Sequence, residues 1–212
     1  MMQKTGYFLR LFVLAAFMLP LTVVSAEQRL EADQTESLRI TSVEFKISGT
    51  SNVRDWDIET DEIRGVIIPG PGFFVSETED SSQWFEQVAL TITNQTLDSG
   101  ISAMTGAMHG YLKTEEYPEI HYRLEEILSV ENAELPGAIK VRVRAVTQAA
   151  GNDHTLEHDV LVSPNGDNSY EISGILDLQF TDFEIDPPTF MRGALRTGND
   201  MTVTYKLIVS EE

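Results

Sequence analysis

The stretch that decides the fold is "LRITSVEFKIS", residues 38–48, in which apolar and polar side chains alternate. Val43, Phe45 and Ile47 are separated from one another by single polar residues. Successive side chains of a β-strand point to opposite faces, so a period of two predicts a strand with one buried face.

The same alternation returns along most of the chain. It is clear in "QVALTIT" (87–93), "EIHYRLEE" (119–126), "IKVRVRAV" (139–146), "YEISGILDLQF" (170–180) and "MTVTYKLIV" (201–209). It is weaker in residues 53–59, 62–68 and 155–162. Turn-forming Gly, Pro, Asn and Asp residues lie between many of these segments. About eight or nine short strands in one domain favour a closed antiparallel barrel or a sandwich.

One segment breaks the strand pattern and predicts a helix. Apolar side chains recur there at steps of three and four, at Ile101, Met104, Met108, Tyr111 and Leu112. This spacing predicts one short helix near 99–113, with Asp98 or Ser99 as its N-cap.

The first 26 residues are typical of a cleaved signal peptide. Lys4 and Arg10 supply positive charge, residues 11–24 form an apolar run, and Val24-Ser25-Ala26 is a small-residue cleavage site. An uncleaved membrane anchor is the alternative, but the run is shorter than the ~20 apolar residues of a span. We therefore expect a periplasmic or secreted protein that has lost residues 1–26.

The polar segment "EQRLEADQTES", residues 27–37, has no apolar period and predicts a flexible N-terminal arm. The predicted barrel domain then occupies residues 38–212. No later segment is long and apolar enough to predict a membrane span.

The charge of the chain is strongly negative, at −19. Removal of the signal would leave 13 basic and 34 acidic residues, or −21. This balance argues against a nucleic-acid partner, because phosphate binding needs clustered Lys and Arg. Lys is scarce, at 5 against 10 Arg. A salt-rich habitat is one hypothesis for such a surface, and an ordinary solubilising surface is the alternative.

The chain contains no cysteine. This excludes disulfides, thiolate metal sites, a cysteine nucleophile and a lipid attached to cysteine. The domain is therefore expected to be stabilised by its apolar core alone.

The polar residues form no pattern typical of an enzyme or a metal centre. His154 and His158 are four residues apart, a spacing that suits zinc on a helix. In a strand that spacing separates them by about 13 Å, too far for one ion. The nucleophile motifs G-x-S-x-G and S-x-x-K are absent from the sequence. We therefore predict no catalytic residue, no metal and no cofactor other than a bound lipid.

One apolar pair lies outside the strand pattern. Phe73-Phe74 stands in a loop, residues 69–83, that is otherwise rich in Gly, Pro, Ser and acidic residues. Such a pair suggests a flap over a pocket, a lipid contact or a partner contact. The sequence leaves open whether this loop is a lid.

Three segments, in order, resemble the YceI-like family. "GTSNVRDW" (49–56) is similar to its early "GTS…HDW" signature, and "GISAMTGAMHGYLKTEEYPEIHYRL" (100–124) to its helix and following strand. "GILDLQFTDFEIDPPTFMRGALRTGNDMTVTYKL" (174–207) is similar to its C-terminal hairpin. The resemblance covers about residues 40–209. Arg54 departs from it, since the family often has His there.

The resemblance implies a single antiparallel, eight-stranded, lipocalin-like β-barrel with an apolar tunnel that binds a polyisoprenoid or isoprenoid quinone. The implied function is non-enzymatic carriage or storage of this apolar lipid. The alternative is a periplasmic stress or interaction module with a solid core, no ligand and an assembly patch at Phe73-Phe74. A lipid hydrolase is a third hypothesis, without a visible nucleophile and base. Both a monomer and a homodimer stay open.

The tunnel lining expected on this interpretation comes from the strands, the helix and the last connection. Its members are Phe45, Trp56, Leu90, Ile92, Met104, Met108, Tyr122, Leu124, Val141, Leu178, Phe180, Phe183, Phe190, Met191 and Tyr205.

The last connection, "TDFEIDPPTFMRG" (181–193), carries two adjacent prolines. Asp186-Pro187-Pro188 predicts a stiff turn, because Pro fixes φ and holds the preceding residue extended. Such a turn would hold Phe183, Phe190 and Met191 at one rim of the barrel. They would serve there as a plug or as one lip of the lipid entrance.

Overall fold

The computed structural model describes residues 37–73, 84–166 and 168–211. The predicted signal peptide and the N-terminal arm up to Glu36 lie outside the described residues. So do Phe74 and the rest of its loop up to Gln83.

The described residues form ten strands and one α-helix. The strands are β1 (Arg39–Ser51), β2 (Trp56–Thr60), β3 (Arg64–Pro69), β4 (Phe85–Thr93), β5 (Glu119–Asn132), β6 (Ile139–Ala149), β7 (Asn152–Pro164), β8 (Ser169–Gln179), β9 (Thr189–Phe190) and β10 (Leu195–Ser210). The helix α1 (Ser102–Tyr111) lies between β4 and β5. The predicted mainly β fold with one inserted helix is therefore confirmed.

The strands form one antiparallel sheet that curls into a half-barrel. Its order is β2-β1-β10-β8-β7-β6-β5-β4-β3, and β9 pairs with β10. The Leu38 N–H donates a hydrogen bond of 2.8 Å to the Ile67 carbonyl oxygen, so the chain just before β1 bridges β3. Further along β1, residues Phe45–Gly49 pair with β2. The eight strands that the resemblance implied are too few. The weak candidates at 53–59 and 62–68 do form the short strands β2 and β3, and the two-residue β9 was not predicted.

The inner face of the sheet carries the alternating apolar side chains. In β6 every second residue from Ile139 to Ala149 is buried. Register places Phe45 of β1 opposite Tyr205 of β10, which lies opposite Gly174 of β8. The period of two in the sequence therefore becomes one continuous inward surface.

Aromatic side chains fill the end of the sheet near Leu38. The Phe73 ring centroid lies 6.0 Å from Trp84, 5.3 Å from Phe85 and 4.8 Å from Tyr170. Phe73 is only 5% exposed. The expectation of an exposed patch was therefore wrong for Phe73, because its ring packs into the core.

The helix α1 begins later than predicted. Its N-cap is Ile101, and the Asp98 carboxylate instead accepts hydrogen bonds from the Gly100 N–H at 3.0 Å and the Thr105 hydroxyl at 2.7 Å. Asp98 thus organises the loop before the helix rather than capping it. Within the described ranges, no helix has the length and apolar character needed to cross a membrane.

The connection between β8 and β10 reverses before its prolines. A short 3-10 helix (Phe180–Phe183) ends at Glu184, which adopts a left-handed conformation with φ 55° and ψ 29°. The Asp182 side chain accepts a hydrogen bond from the Gln179 N–H at 2.7 Å. The stiff turn predicted at Asp186-Pro187-Pro188 therefore falls at Glu184, and the prolines follow it.

Candidate functional site: an apolar cavity inside the sheet

The curled sheet, α1 and the β8–β10 connection surround an apolar cavity of about 560 Å³. Pockets that take one small organic ligand have volumes of about 300–1,000 Å³. The interior is therefore hollow in part, unlike the solid core that the alternative interpretation predicts.

Thirteen of the fifteen residues predicted for the tunnel lie on the cavity wall. They are Phe45, Trp56, Leu90, Ile92, Met104, Met108, Tyr122, Leu124, Leu178, Phe180, Phe183, Phe190 and Tyr205. Their contact with a ligand remains a prediction.

Two predicted residues do not belong to this wall as described. Val141 faces inward but is completely buried in the packed core, between its neighbours Val130 and Val160. The alternation identified its inner face, but that part of the interior is filled by side chains. The side chain of Met191 lies outside the part of the chain that the structure describes.

The cavity opens at the β1–β2 turn and the start of α1. The wall residues Val53 and Ile101 are 67% and 39% exposed there. The Asn52 amide ties this turn to the start of β10, donating to the Ala194 carbonyl oxygen at 2.9 Å and accepting from the Arg196 N–H at 2.8 Å. Among the described wall residues, Arg54 is the single charged side chain, and it lies in this turn. An apolar interior therefore meets solvent at one cationic mouth.

The helix and the β8–β10 connection meet over the same cavity. The ring centroids of Tyr111 and Phe190 lie 6.3 Å apart at an interplanar angle of 80°. The Thr189 N–H donates to the Tyr111 hydroxyl oxygen at 3.3 Å. Phe190 also lines the cavity, so this contact connects two parts of its wall.

Tyr122 and His158 form a polar pair within the mostly apolar interior. The Tyr122 hydroxyl is 2.9 Å from Nε2 of His158, and the His158 ring lies edge-on to Tyr205 with centroids 6.4 Å apart. Burial lowers the pKa of His158 and raises the pKa of both tyrosines. All three side chains are therefore neutral at pH 7.

The sequence pattern indicated no role for His158, although the residue is only 5% exposed. A signal was present, because His158 shares its strand face with Val160 and Val162. Ile185 and Pro188 also line the cavity. They lie outside the regular strands, where the period of two gives no information.

Comparison with known proteins identifies the fold. No protein-family model and no curated protein matches the sequence. The structure of BcnA from Burkholderia cenocepacia aligns with a TM-score of 0.58 at 14% identity, covering 78% of this chain and 95% of that chain. A polyisoprenoid-binding domain from Saccharophagus degradans, implicated in plant cell wall breakdown, aligns with a TM-score of 0.60 at 14% identity. That alignment covers 84% of this chain and 99% of the other.

A third structure belongs to the YceI protein of Campylobacter jejuni. It aligns with a TM-score of 0.57 at 14% identity, covering 73% of this chain and 84% of that chain. At this identity the three likenesses establish a shared fold. The resemblance proposed from the sequence motifs is confirmed at that level.

Proposed function

Since the chain has the fold of YceI-like proteins, we propose that it is a non-enzymatic lipid-binding protein that holds one apolar chain inside its half-barrel. A polyisoprenoid or an isoprenoid quinone is the proposed class of ligand. The protein carries or stores this lipid and exchanges it with membranes.

The observation that carries the proposal is the apolar lining of the 560 Å³ cavity. Water inside a cavity needs two to four polar partners, and this wall offers few. Moving an apolar molecule from water into this cavity lowers its free energy, because its surface is removed from water and makes van der Waals contact with the wall. The Saccharophagus degradans neighbour, a polyisoprenoid-binding domain, supports the choice of lipid class.

The expected energetics favour exchange over permanent capture. Moving one five-carbon isoprene unit from water into the cavity gains roughly 4 kcal/mol at ~0.8 kcal/mol per methylene. A lipid in a bilayer is already removed from water, so the free energy of its transfer from the bilayer into the cavity is close to zero. Ordering of the chain subtracts further free energy. Such a balance suits a carrier or a store.

We place this function in the periplasm or outside the cell, on the basis of the signal-like residues 1–26. Expression of the full chain in a bacterial host should yield a soluble periplasmic protein that begins at Glu27. Retention of Met1 by the purified protein, in the membrane fraction, would contradict this location.

Native mass spectrometry and organic extraction test the binding function. The purified protein should carry a mass above that of its polypeptide, and the extract should contain an apolar lipid. Ala103→Trp places a large ring on the cavity wall at α1 and should lower the lipid content severalfold. Ser102→Trp is the matched control, because Ser102 begins the same helix and is absent from the described wall.

An empty wild-type protein, also after incubation with lipid vesicles, would contradict the proposal. Equal lipid loss in both Trp variants would point to general damage of the helix instead of occlusion of the cavity.

A further inference from the structure

The Tyr205 hydroxyl lies on the inner face of the sheet, deep within the cavity. The ring extends across Gly174 of β8, where a Cβ atom would lie only 2.5 Å from the hydroxyl oxygen. Tyr205 is a wall residue. Along β10 it is eight residues from Thr197 at the mouth, or roughly 25 Å at ~3.3 Å per residue.

In the part of the chain that the structure describes, no hydrogen bond joins this hydroxyl to another residue, and the half-buried side chain faces the cavity instead of being sealed in protein. Its pKa is raised well above the ordinary value by burial, with the nearby Tyr122 as a second cause. A Tyr O–H that is removed from bulk water usually finds a hydrogen-bond partner. The unpaired hydroxyl therefore points to a partner that enters the cavity.

The nearest titratable groups, Tyr122 and His158, are already engaged with each other. Nδ1 of His158 lies 3.4 Å from the Asp159 carbonyl oxygen, which favours the tautomer that carries its proton on Nδ1. Nε2 then accepts the hydrogen bond from the Tyr122 hydroxyl at 2.9 Å. Tyr205 is left with a free O–H donor beside a satisfied pair.

We propose that Tyr205 donates a hydrogen bond to an uncharged oxygen of the bound lipid, such as a ketone, quinone or ester carbonyl, deep inside the cavity. This inference rests on the proposed lipid-binding function and deepens it. The ligand is then an apolar chain with a neutral oxygen, and that oxygen lies far from the mouth.

The charge distribution favours a neutral oxygen over a phosphate at this position. Arg54, the charged wall residue, belongs to the mouth rather than to the surroundings of Tyr205. A buried anion without a counter-charge loses its hydration at a cost of many kcal/mol. A carbonyl loses much less, and one hydrogen bond from Tyr205 offsets that loss.

The test compares three probes on the full-length protein: geranylgeranylacetone (an isoprenoid ketone), phytane (an isoprenoid hydrocarbon) and geranylgeranyl phosphate. Tyr205→Phe should weaken ketone binding by about 3- to 10-fold, the range expected for one ordinary hydrogen bond. Its affinity for phytane should change by less than about twofold, because a Phe ring preserves the apolar wall. Infrared spectra should show the ketone C=O stretch at a higher frequency in Tyr205→Phe than in the wild type.

Tyr170→Phe is the matched control, since Tyr170 packs in the aromatic cluster at the far end and is absent from the described wall. It should leave ketone affinity and the C=O frequency unchanged. Circular dichroism and melting curves check that both variants fold.

Three outcomes would overturn the inference. If the wild type binds ketone and phytane and Tyr205→Phe alters neither affinity nor C=O frequency, the inference fails and the lipid-binding function stands. If the phosphate binds most tightly and is insensitive to Tyr205→Phe, the headgroup lies at the mouth instead. If no probe binds, the proposed function fails together with the inference.

Discussion

Gly174 is the residue on which the position of Tyr205 depends. Its backbone lies under the Tyr205 hydroxyl, which a Cβ atom would approach to 2.5 Å. That approach is shorter than any ordinary van der Waals contact. Ala at position 174 would therefore displace the Tyr205 ring toward the cavity or push β8 away from β10.

We expect Gly174→Ala to lower the free energy of unfolding by about 1–3 kcal/mol, the usual cost of overpacking a core. Urea denaturation followed by circular dichroism measures this change. Gly106→Ala is the matched control on the exposed side of α1, where a Cβ atom would meet nothing within 4 Å. There the same substitution should raise stability by about 0.5–1 kcal/mol, because Ala is the better helix former. Equal effects of the two substitutions would contradict the close packing at Gly174.

At the scale of single residues, the sequence predicted which face a side chain occupies better than what surrounds it. Val141 and Tyr122 both alternate inward, yet Val141 is sealed in the core and Tyr122 lines the cavity. The partnership of Tyr122 with His158 joins β5 and β7 across β6. Such a contact depends on strand order, which a period of two does not encode.

At the scale of elements, the β8–β10 connection and α1 form one contact over the cavity. Phe190 packs edge-on against Tyr111, and the Thr189 N–H reaches the Tyr111 hydroxyl. If the lipid passes between these two elements, this contact must open during each exchange.

We expect Phe190→Ala to speed lipid transfer to acceptor vesicles by roughly 2- to 10-fold. This range corresponds to the loss of one aromatic contact of about 0.5–1.5 kcal/mol. Stopped-flow transfer of a fluorescent isoprenoid from the loaded protein measures the rate. Thr189→Ala removes an exposed side chain from the same connection and keeps the N–H, so its rate should match the wild type. An unchanged rate in Phe190→Ala would mean that the lipid passes elsewhere, such as beside the β1–β2 turn.

Long elements were predictable from their period, and the short features between them were not. β1 and β6 have clear alternation over many residues. The reversal at Glu184 requires a left-handed residue, and Glu carries no signal for that conformation. Asp is a residue type typical of an N-cap, but the hydrogen bonds that Asp98 accepts from Gly100 and Thr105 hold it in the loop before the helix.

At the scale of the whole molecule, the sequence predicted a β-barrel or sandwich with an apolar inner face, but not that the sheet forms a half-barrel or how far its interior is filled by side chains. How much of the interior is occupied by side chains depends on how those from opposite walls pack against one another. Phe73 illustrates this, since it follows a Gly-Pro-rich stretch and yet plugs one end of the core. The cavity volume is a result of such three-dimensional packing.

The outer surface combines a large acid excess with ion pairs. Nζ of Lys46 lies 2.9 Å from Asp57, and the Arg142 guanidinium lies 3.1 Å from Asp159, in pairs that are substantially exposed. Exposed pairs contribute only about 0–1 kcal/mol each. With 34 acidic against 15 basic residues in the full chain, most carboxylates have no cation to pair with. Repulsion among them should therefore outweigh the attraction within the pairs.

We expect the melting temperature to rise by roughly 5–10 °C between dilute buffer and molar KCl at pH 7, corresponding to about 2–3 kcal/mol. The Debye length falls from about 30 Å at 0.01 M to about 3 Å at 1 M, so salt removes the long-range repulsion. Differential scanning calorimetry measures the rise. A matched series near the isoelectric point, at pH ≈ 4.4, is the control because the net charge is then close to zero. A rise of the same size at both pH values would assign the effect to salt-strengthened apolar burial and would contradict the hypothesis that the acidic surface is adapted to salt.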